Sequence, residues 1–100
     1  MDVEVLYFDG CPTHEAATWT LREVLAELGA EADVELVAIN TDEEAKRLRF
    51  PGSPTIRVEG RDLFPVPERS AWALGCRTYA TAEGLKGYPT REMVRDALAR

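Results

Sequence analysis

The sequence predicts a single α/β domain in which helices flank a mixed central sheet, with elements in the order β-α-β-α-β-β-α. Three observations predict this class. Two short apolar runs, at residues 3–8 and 34–39, are separated by a helical pattern, as in a parallel βαβ unit. A third, β-branched run occupies residues 55–58 and precedes a tight turn. A final amphipathic segment after Thr90 predicts the last helix.

The first strand and the first helix meet at Cys11. Pro12 suits the first helical position, because its missing N–H costs no hydrogen bond there. Apolar residues then recur at helical spacing until Gly29, which predicts the end of the helix. We therefore expect Cys11 at the N-terminus of the first helix.

The second half of the chain gives a less regular pattern. A capping-box spacing begins at Thr41 and predicts a second helix that runs to about Arg49. After the third strand and its turn, the return strand is predicted at residues 62–64 or, equally well, at 77–80. A short helix is predicted over residues 68–74, which lie between proline and glycine residues.

Composition and charge limit the classes of partner. One hundred residues, of which 45% are hydrophobic, suit one compact domain over residues 1–100. The net charge of −6 argues against a nucleic-acid surface, because phosphate binding needs a basic stripe. The chain has neither a membrane-length apolar run nor a signal-peptide pattern at its start. We therefore expect a cytoplasmic protein that binds neither nucleic acid nor membrane; the sequence leaves its oligomeric state open.

The two cysteines, Cys11 and Cys76, lie too far apart in the sequence to form a CxxC pair. In a reducing compartment, such cysteines are more often reactive or idle thiols than a permanent bridge. A helix N-terminus stabilises a thiolate, because its first N–H groups lack intrahelical partners and the peptide dipoles sum to a partial positive charge. Cys11 is therefore the predicted nucleophile; the alternative is a buried structural thiol.

His14 and Cys76 are the other predicted catalytic residues. A cationic His14 would favour the Cys11 thiolate, whereas a neutral His14 could pass a proton to a leaving thiol. The alternative is an exposed His14 without a catalytic part. Cys76 is the candidate resolving thiol, with Arg77 lowering its pKa. Alternatively, Cys76 is a core cysteine on an additional strand.

Two motifs carry a resemblance to a known superfamily. They are Cys11-Pro12-Thr13-His14 after the first strand and Gly52-Ser53-Pro54-Thr55-Ile56-Arg57-Val58 leading into the third. With the order of elements, these motifs resemble the thioredoxin superfamily. More narrowly, they are similar to small bacterial thioredoxin-like proteins that are loosely associated with selenoproteins or alkylmercury lyases. The resemblance covers about residues 3–64 and the last helix, so that residues 65–88 form an atypical insertion.

The resemblance implies a fold and a chemistry. In this superfamily the active-site cysteine, here Cys11, opens the first helix, and a cis proline, here Pro54, lies beside its sulfur. His14 stands where a CxxC motif has its second cysteine, which removes the usual dithiol cycle. The implied activity is thiol–disulfide oxidoreduction or thiol transfer, without a cofactor, on protein or small-molecule thiols and disulfides.

The predicted substrate-binding residues are Pro12, Ser53, Pro54 and Thr55. A cis bond before Pro54 would aim the Ser53 carbonyl and the Thr55 N–H at a ligand beside Cys11. An extended thiol substrate could then pair with that edge. Local sequence alone favours a trans proline that merely ends the second helix, because few X–Pro bonds are cis, and the resemblance reverses that preference.

A binding function is the alternative to an enzyme. Asp9, Cys11, His14 and Cys76 could together bind a soft metal, because thiolate and imidazole suit zinc, copper(I) or mercury. The C-x2-H spacing supplies only half of a zinc set, so no structural metal site is predicted. A non-catalytic module that holds a heavy metal or a partner protein, or a thioredoxin-like scaffold without a reactive thiol, stays open beside the enzyme.

Overall fold

The computed structural model describes residues 1–67 and 72–99. The elements within these ranges are β1 (Asp2–Tyr7), α1 (His14–Glu27), β2 (Asp33–Ala38), α2 (Asp42–Arg47), β3 (Thr55–Val58), β4 (Arg61–Asp62), β5 (Tyr79–Thr81), β6 (Gly84–Lys86) and α3 (Arg91–Leu98). They form a small α/β domain, which confirms the predicted class.

The central sheet has the strand order β2-β1-β3-β4. β1 and β2 are parallel, with Val5 opposite Leu36, and α1 is the crossover between them. β3 runs antiparallel to β1, with Ile56 opposite Val5, and β4 runs antiparallel to β3. The sheet is therefore mixed, and β1 lies at its centre with partners on both sides.

Residues 65–88, predicted as an insertion, contain a separate hairpin. The strand predicted at residues 77–80 begins at Tyr79 and pairs as β5 with β6, so it does not join the central sheet. The return strand beside β3 is the two-residue β4. Of the helix predicted over residues 68–74, residues 68–71 lie outside the described ranges, and residues 72–74 are not helical.

Side chains alternate between the two faces of β1, as the pleat requires. Val3 and Val5 point to one face and Leu6 to the other. The first core cluster packs α1 and α3 against the sheet, and its buried members are Val3, Val5, Leu21, Val24, Leu25, Ile56 and Val94. The second lies at α2, and its buried members are Leu6, Ile39, Ala45 and Phe50. Helices therefore cover both faces of the sheet.

Two helix boundaries differ from the prediction. α1 begins at His14, so the turn after β1 is longer than expected and Pro12 is not in the helix. α2 ends at Arg47 and its C-cap is Leu48, because Arg49 has a positive φ of 52° that ends the helical turn. None of the described helices has the length and apolar character needed to cross a membrane.

α3 is stabilised by a hydroxyl cap, which gives the first prediction. The Thr90 side chain accepts a hydrogen bond from the Met93 N–H at 3.2 Å, and the helix buries Val94 and Ala97. We expect Thr90→Ala to lower the free energy of unfolding by about 1 kcal/mol, because one N–H of the first turn loses its partner. Thr90→Ser should retain most of that stability. Denaturant unfolding measures both variants, and equal stability of Thr90→Ala and wild type would contradict the assigned cap.

Candidate functional site

Cys11 lies in the turn between β1 and α1. Its N–H donates to the Phe8 carbonyl at 3.1 Å, and the residue is only 1% exposed. Thr13, two residues later, is the N-cap of α1. The expected position of Cys11 at the first residue before the helix is therefore wrong by two residues. The cysteine faces the helix start from within the turn.

The Thr13 side chain contacts the Cys11 sulfur and does not cap α1. Its side chain makes no capping hydrogen bond, and its Oγ1 lies 3.1 Å from Cys11 Sγ. Gly87, between β6 and α3, packs against it: a Cβ at Gly87 would lie 2.7 Å from the Thr13 methyl carbon. Packing against Gly87 thus helps to position the Thr13 hydroxyl beside the Cys11 sulfur.

Ser53 and Pro54 approach the same sulfur from the segment before β3. The peptide bond between them is cis. The Cys11 thiol donates to the Ser53 carbonyl at 3.4 Å. The Ser53 hydroxyl is fully buried and makes no hydrogen bond of ordinary geometry with a described residue. Thr55 donates its hydroxyl to the Gly52 carbonyl at 2.6 Å, so it supports this segment and does not face Cys11 directly.

A third segment, residues 75–77, brings Cys76 to the site. The Ser53 N–H donates to the Gly75 carbonyl at 2.8 Å, and the Arg77 N–H donates to the Ser53 carbonyl at 2.9 Å. These two bonds form a parallel β-bridge between Ser53 and Cys76. Cys76 is exposed and is not part of the core, contrary to the alternative considered for it. The backbone of Ser53, predicted to bind an extended substrate, is already paired within the chain.

Arg77 anchors this segment. Its guanidinium forms an ion pair with Asp62 at 2.9 Å and donates to Thr55 Oγ1 at 3.2 Å and to the Phe64 carbonyl. It also lies over the ring of Tyr79, 4.6 Å from the centroid. The residue is 6% exposed, so its charge is buried with its partners. The side chain is directed away from Cys76, for which sequence analysis expected it to lower the pKa.

The pKa values of the two thiols move in opposite directions. Burial raises the pKa of Cys11, but hydrogen bonds outweigh it and hold the pKa below its ordinary value. They come from the hydroxyl and N–H of Thr13, then from the Ser53 hydroxyl and the Cys76 thiol. The hydrogen bond with Cys11 raises the pKa of Cys76, and burial and the Cys11 charge raise it further. The expected lowering of the Cys76 pKa is therefore wrong.

His14 contacts the backbone of the turn. Its Nδ1 lies 2.8 Å from the Cys11 carbonyl oxygen, and its ring stacks on Tyr7 with centroids 4.2 Å apart. Because a carbonyl oxygen only accepts, Nδ1 must carry a proton in this contact. His14 is thus attached to the main chain of Cys11, and Pro12 between them is exposed. A proton-transfer role for His14 stays a prediction.

The candidate metal ligands do not form a cluster. Within residues 1–67 and 72–99, no group of three or more His, Cys, Asp or Glu side chains is arranged to hold a metal ion. Asp9 is exposed at the turn. Comparisons with models of protein families, with curated proteins and with solved structures found no match.

Sequence reasoning did not identify Thr13 as a site residue, although it lies inside the CPxH motif. A hydroxyl two residues after a cysteine was the available signal. Nothing in the sequence indicated Gly87, because its contact with Thr13 joins residues 74 positions apart, across five described strands and two described helices.

Ser53→Ala tests the buried hydroxyl. We expect the pKa of Cys11 to rise, because its thiolate loses a donor. At a pH low enough for Cys11 to be a neutral thiol, the free energy of unfolding should stay equal or increase, because the buried Ser53 hydroxyl then has no hydrogen-bond partner among the described residues. Thiolate absorbance against pH and denaturant unfolding measure the two quantities. Thr78→Ala, which removes an exposed hydroxyl near Cys76, is the control, and an unchanged Cys11 titration in Ser53→Ala would contradict the assignment.

Gly87→Ala tests the packing behind Thr13. The new methyl group would displace the Thr13 side chain and weaken its contact with the sulfur, so we expect the pKa of Cys11 to rise. Gly75→Ala is the matched control, because a Cβ there meets no described atom within 4 Å. Alkylation of Cys11 at a series of pH values gives the titration. The account of Thr13 fails if both glycine variants titrate like wild type.

Proposed function

We propose that this α/β domain is thioredoxin-like. The strand order β2-β1-β3-β4, with β1 and β2 parallel and β3 antiparallel to β1, supports the proposal. So does the meeting of Cys11 after β1 with the Ser53-Pro54 segment before β3, at a distance of 3.4 Å from sulfur to carbonyl oxygen. These are the two positions that the resemblance identifies.

We propose that the domain carries out thiol–disulfide exchange through Cys11 and Cys76. The single observation that carries this proposal is that Ser53 adjoins both cysteines: its carbonyl accepts from the Cys11 thiol at 3.4 Å, and it forms a β-bridge with Cys76. In a CxxC motif both sulfurs come from one helical turn. Here the second sulfur comes from the insertion, so His14 can replace the second cysteine of the motif without loss of a dithiol cycle.

The opposite pKa shifts give the two sulfurs different states. At a pH between the pKa of Cys11 and the higher pKa of Cys76, Cys11 is a thiolate and Cys76 is a neutral thiol. Thiolate is the reactive form in exchange, and a stabilised thiolate is also a good leaving group. The pair can therefore close to a disulfide and reopen. The reducing cytoplasm is the compartment in which an external thiol would return it to the dithiol.

His14, Ser53 and Thr55 support the reaction from different sides. His14 fixes the carbonyl of Cys11 and hence the turn that presents the sulfur. Ser53 supplies a buried hydroxyl to the thiolate and two backbone bonds to the Cys76 segment. Thr55 joins the Gly52 carbonyl to the Arg77 guanidinium. These are positioning roles that keep both sulfurs in reach.

Capture of a thiophilic metal ion is a second candidate function. The placement of both cysteines beside Ser53 favours it, because two nearby thiolates suit soft ions such as copper(I) or mercury(II). Binding would release protons from the thiols. Such a site needs affinity and no exchange with disulfides, which distinguishes it from the first function.

A redox titration tests the proposed exchange. Equilibration of the chain with mixtures of a small dithiol and its disulfide should convert the wild type reversibly into a form with an internal Cys11–Cys76 disulfide, detected by mass spectrometry after alkylation of free thiols. Cys11→Ser and Cys76→Ser should form mixed disulfides only, because each retains one sulfur. Failure of the wild type to form the internal bridge at any ratio would contradict the exchange function. Tight binding of mercury(II) together with that failure would favour metal capture.

A further inference from the structure

We infer that Cys76 is the sulfur that exchanges with external small-molecule thiols and disulfides, and that Cys11 closes the internal disulfide behind it. The inference rests on the proposed exchange function and deepens it. This assignment reverses the roles predicted from the sequence, in which Cys11 attacks the substrate and Cys76 resolves the adduct. The exposure of the two cysteines and the pairing of the Ser53 backbone carry it.

Exposure separates the two sulfurs. Cys11 is 1% exposed and its sulfur contacts Thr13 Oγ1 and the Ser53 carbonyl, whereas Cys76 is exposed. Exchange requires a nearly linear approach of one sulfur to another, so access to the attacked sulfur limits the rate. An external sulfur compound meets Cys76 first. To reach Cys11, it would have to displace residues that bury this sulfur.

The backbone N–H and carbonyl of Ser53 are already hydrogen-bonded, which limits the class of substrate that can bind. A peptide that binds as an added strand needs free N–H and C=O groups at the edge it joins. At Ser53 both groups are used, by the Gly75 carbonyl and the Arg77 N–H. The buried ion pair of Arg77 with Asp62 holds that segment in place. A small thiol or disulfide needs no such edge, so the site favours small molecules over extended protein segments.

The oxidation of the pair balances in two exchanges. A proton first passes from the Cys76 thiol to the Cys11 thiolate. The Cys76 thiolate attacks an external disulfide RS–SR, so that a Cys76–SR bond forms and RS⁻ leaves. This RS⁻ takes the proton from Cys11, and the Cys11 thiolate attacks Cys76 Sγ, which releases the second RS⁻. One external disulfide is reduced to two external sulfhydryl species, and the protein dithiol is oxidised to the Cys11–Cys76 disulfide.

The reverse reaction uses the same sulfur. An external thiolate R′S⁻ attacks the exposed Cys76 sulfur of the internal disulfide, and Cys11 leaves. The Thr13 hydroxyl, 3.1 Å from the sulfur, is in place to receive the charge on Cys11. A leaving thiolate that is stabilised leaves faster. The mixed disulfide therefore lies on Cys76 in both directions.

The position of the mixed disulfide tests the inference. Oxidised wild type is treated with limiting 2-mercaptoethanol, quenched with acid and mapped by peptide mass spectrometry. We expect the adduct on Cys76 in roughly tenfold excess over Cys11, because only the exposed sulfur is open to attack. An adduct mainly on Cys11 would overturn the inference.

The rates at which reduced single-cysteine variants form adducts give a second test, which does not need the internal disulfide. With bis(2-hydroxyethyl) disulfide as the probe, Cys11→Ser should form its adduct about tenfold faster than Cys76→Ser, in which the serine keeps Cys11 covered. Equal rates, or a faster Cys76→Ser, would overturn the assignment. A peptide disulfide that reacts with wild type faster than the small probe would overturn the substrate class. Absence of an internal disulfide in wild type would instead count against the exchange function alone.

Discussion

Two backbone hydrogen bonds on Ser53 hold the site together. They tie the segment that carries Cys76 to the segment that receives the Cys11 thiol, at 2.8 Å and 2.9 Å. A parallel bridge of this kind places its two residues side by side. Two cysteines that are remote in sequence thus both adjoin Ser53 because of one local pairing, and without it Cys76 would be an ordinary exposed thiol.

The bridge in turn depends on a buried charge. The Arg77 guanidinium forms an ion pair with Asp62 and donates hydrogen bonds to Thr55 and the Phe64 carbonyl. Removing one partner of such a buried ion pair typically costs about 3–5 kcal/mol. Gly52 lets the two segments approach, because its φ is +130° and a Cβ there would lie 2.8 Å from the Arg77 Cβ. The short β4 therefore matters mainly as the source of Asp62.

The sequence predicted most of the central sheet and the Cys11 end of the site. A short apolar run located β1, a β-branched alternating run located β3, and the capping patterns located α2 and α3, because these signals are local. The path of residues 65–88 was not predictable, since the Ser53 bridge and the Gly87 contact with Thr13 are long-range. The Arg77 expectation failed for the same reason: the distant Asp62 pairs with this guanidinium.

The central claim is that Cys76, placed beside Ser53, stabilises the Cys11 thiolate, and thiolate absorbance against pH tests it most directly in wild type, Cys76→Ala and Cys76→Ser. Removal of the donor in Cys76→Ala should raise the pKa of Cys11, since a hydrogen bond to the thiolate is lost. The serine variant should show a smaller rise, because its hydroxyl can still donate. A Cys11 titration that is identical in all three proteins would contradict the account.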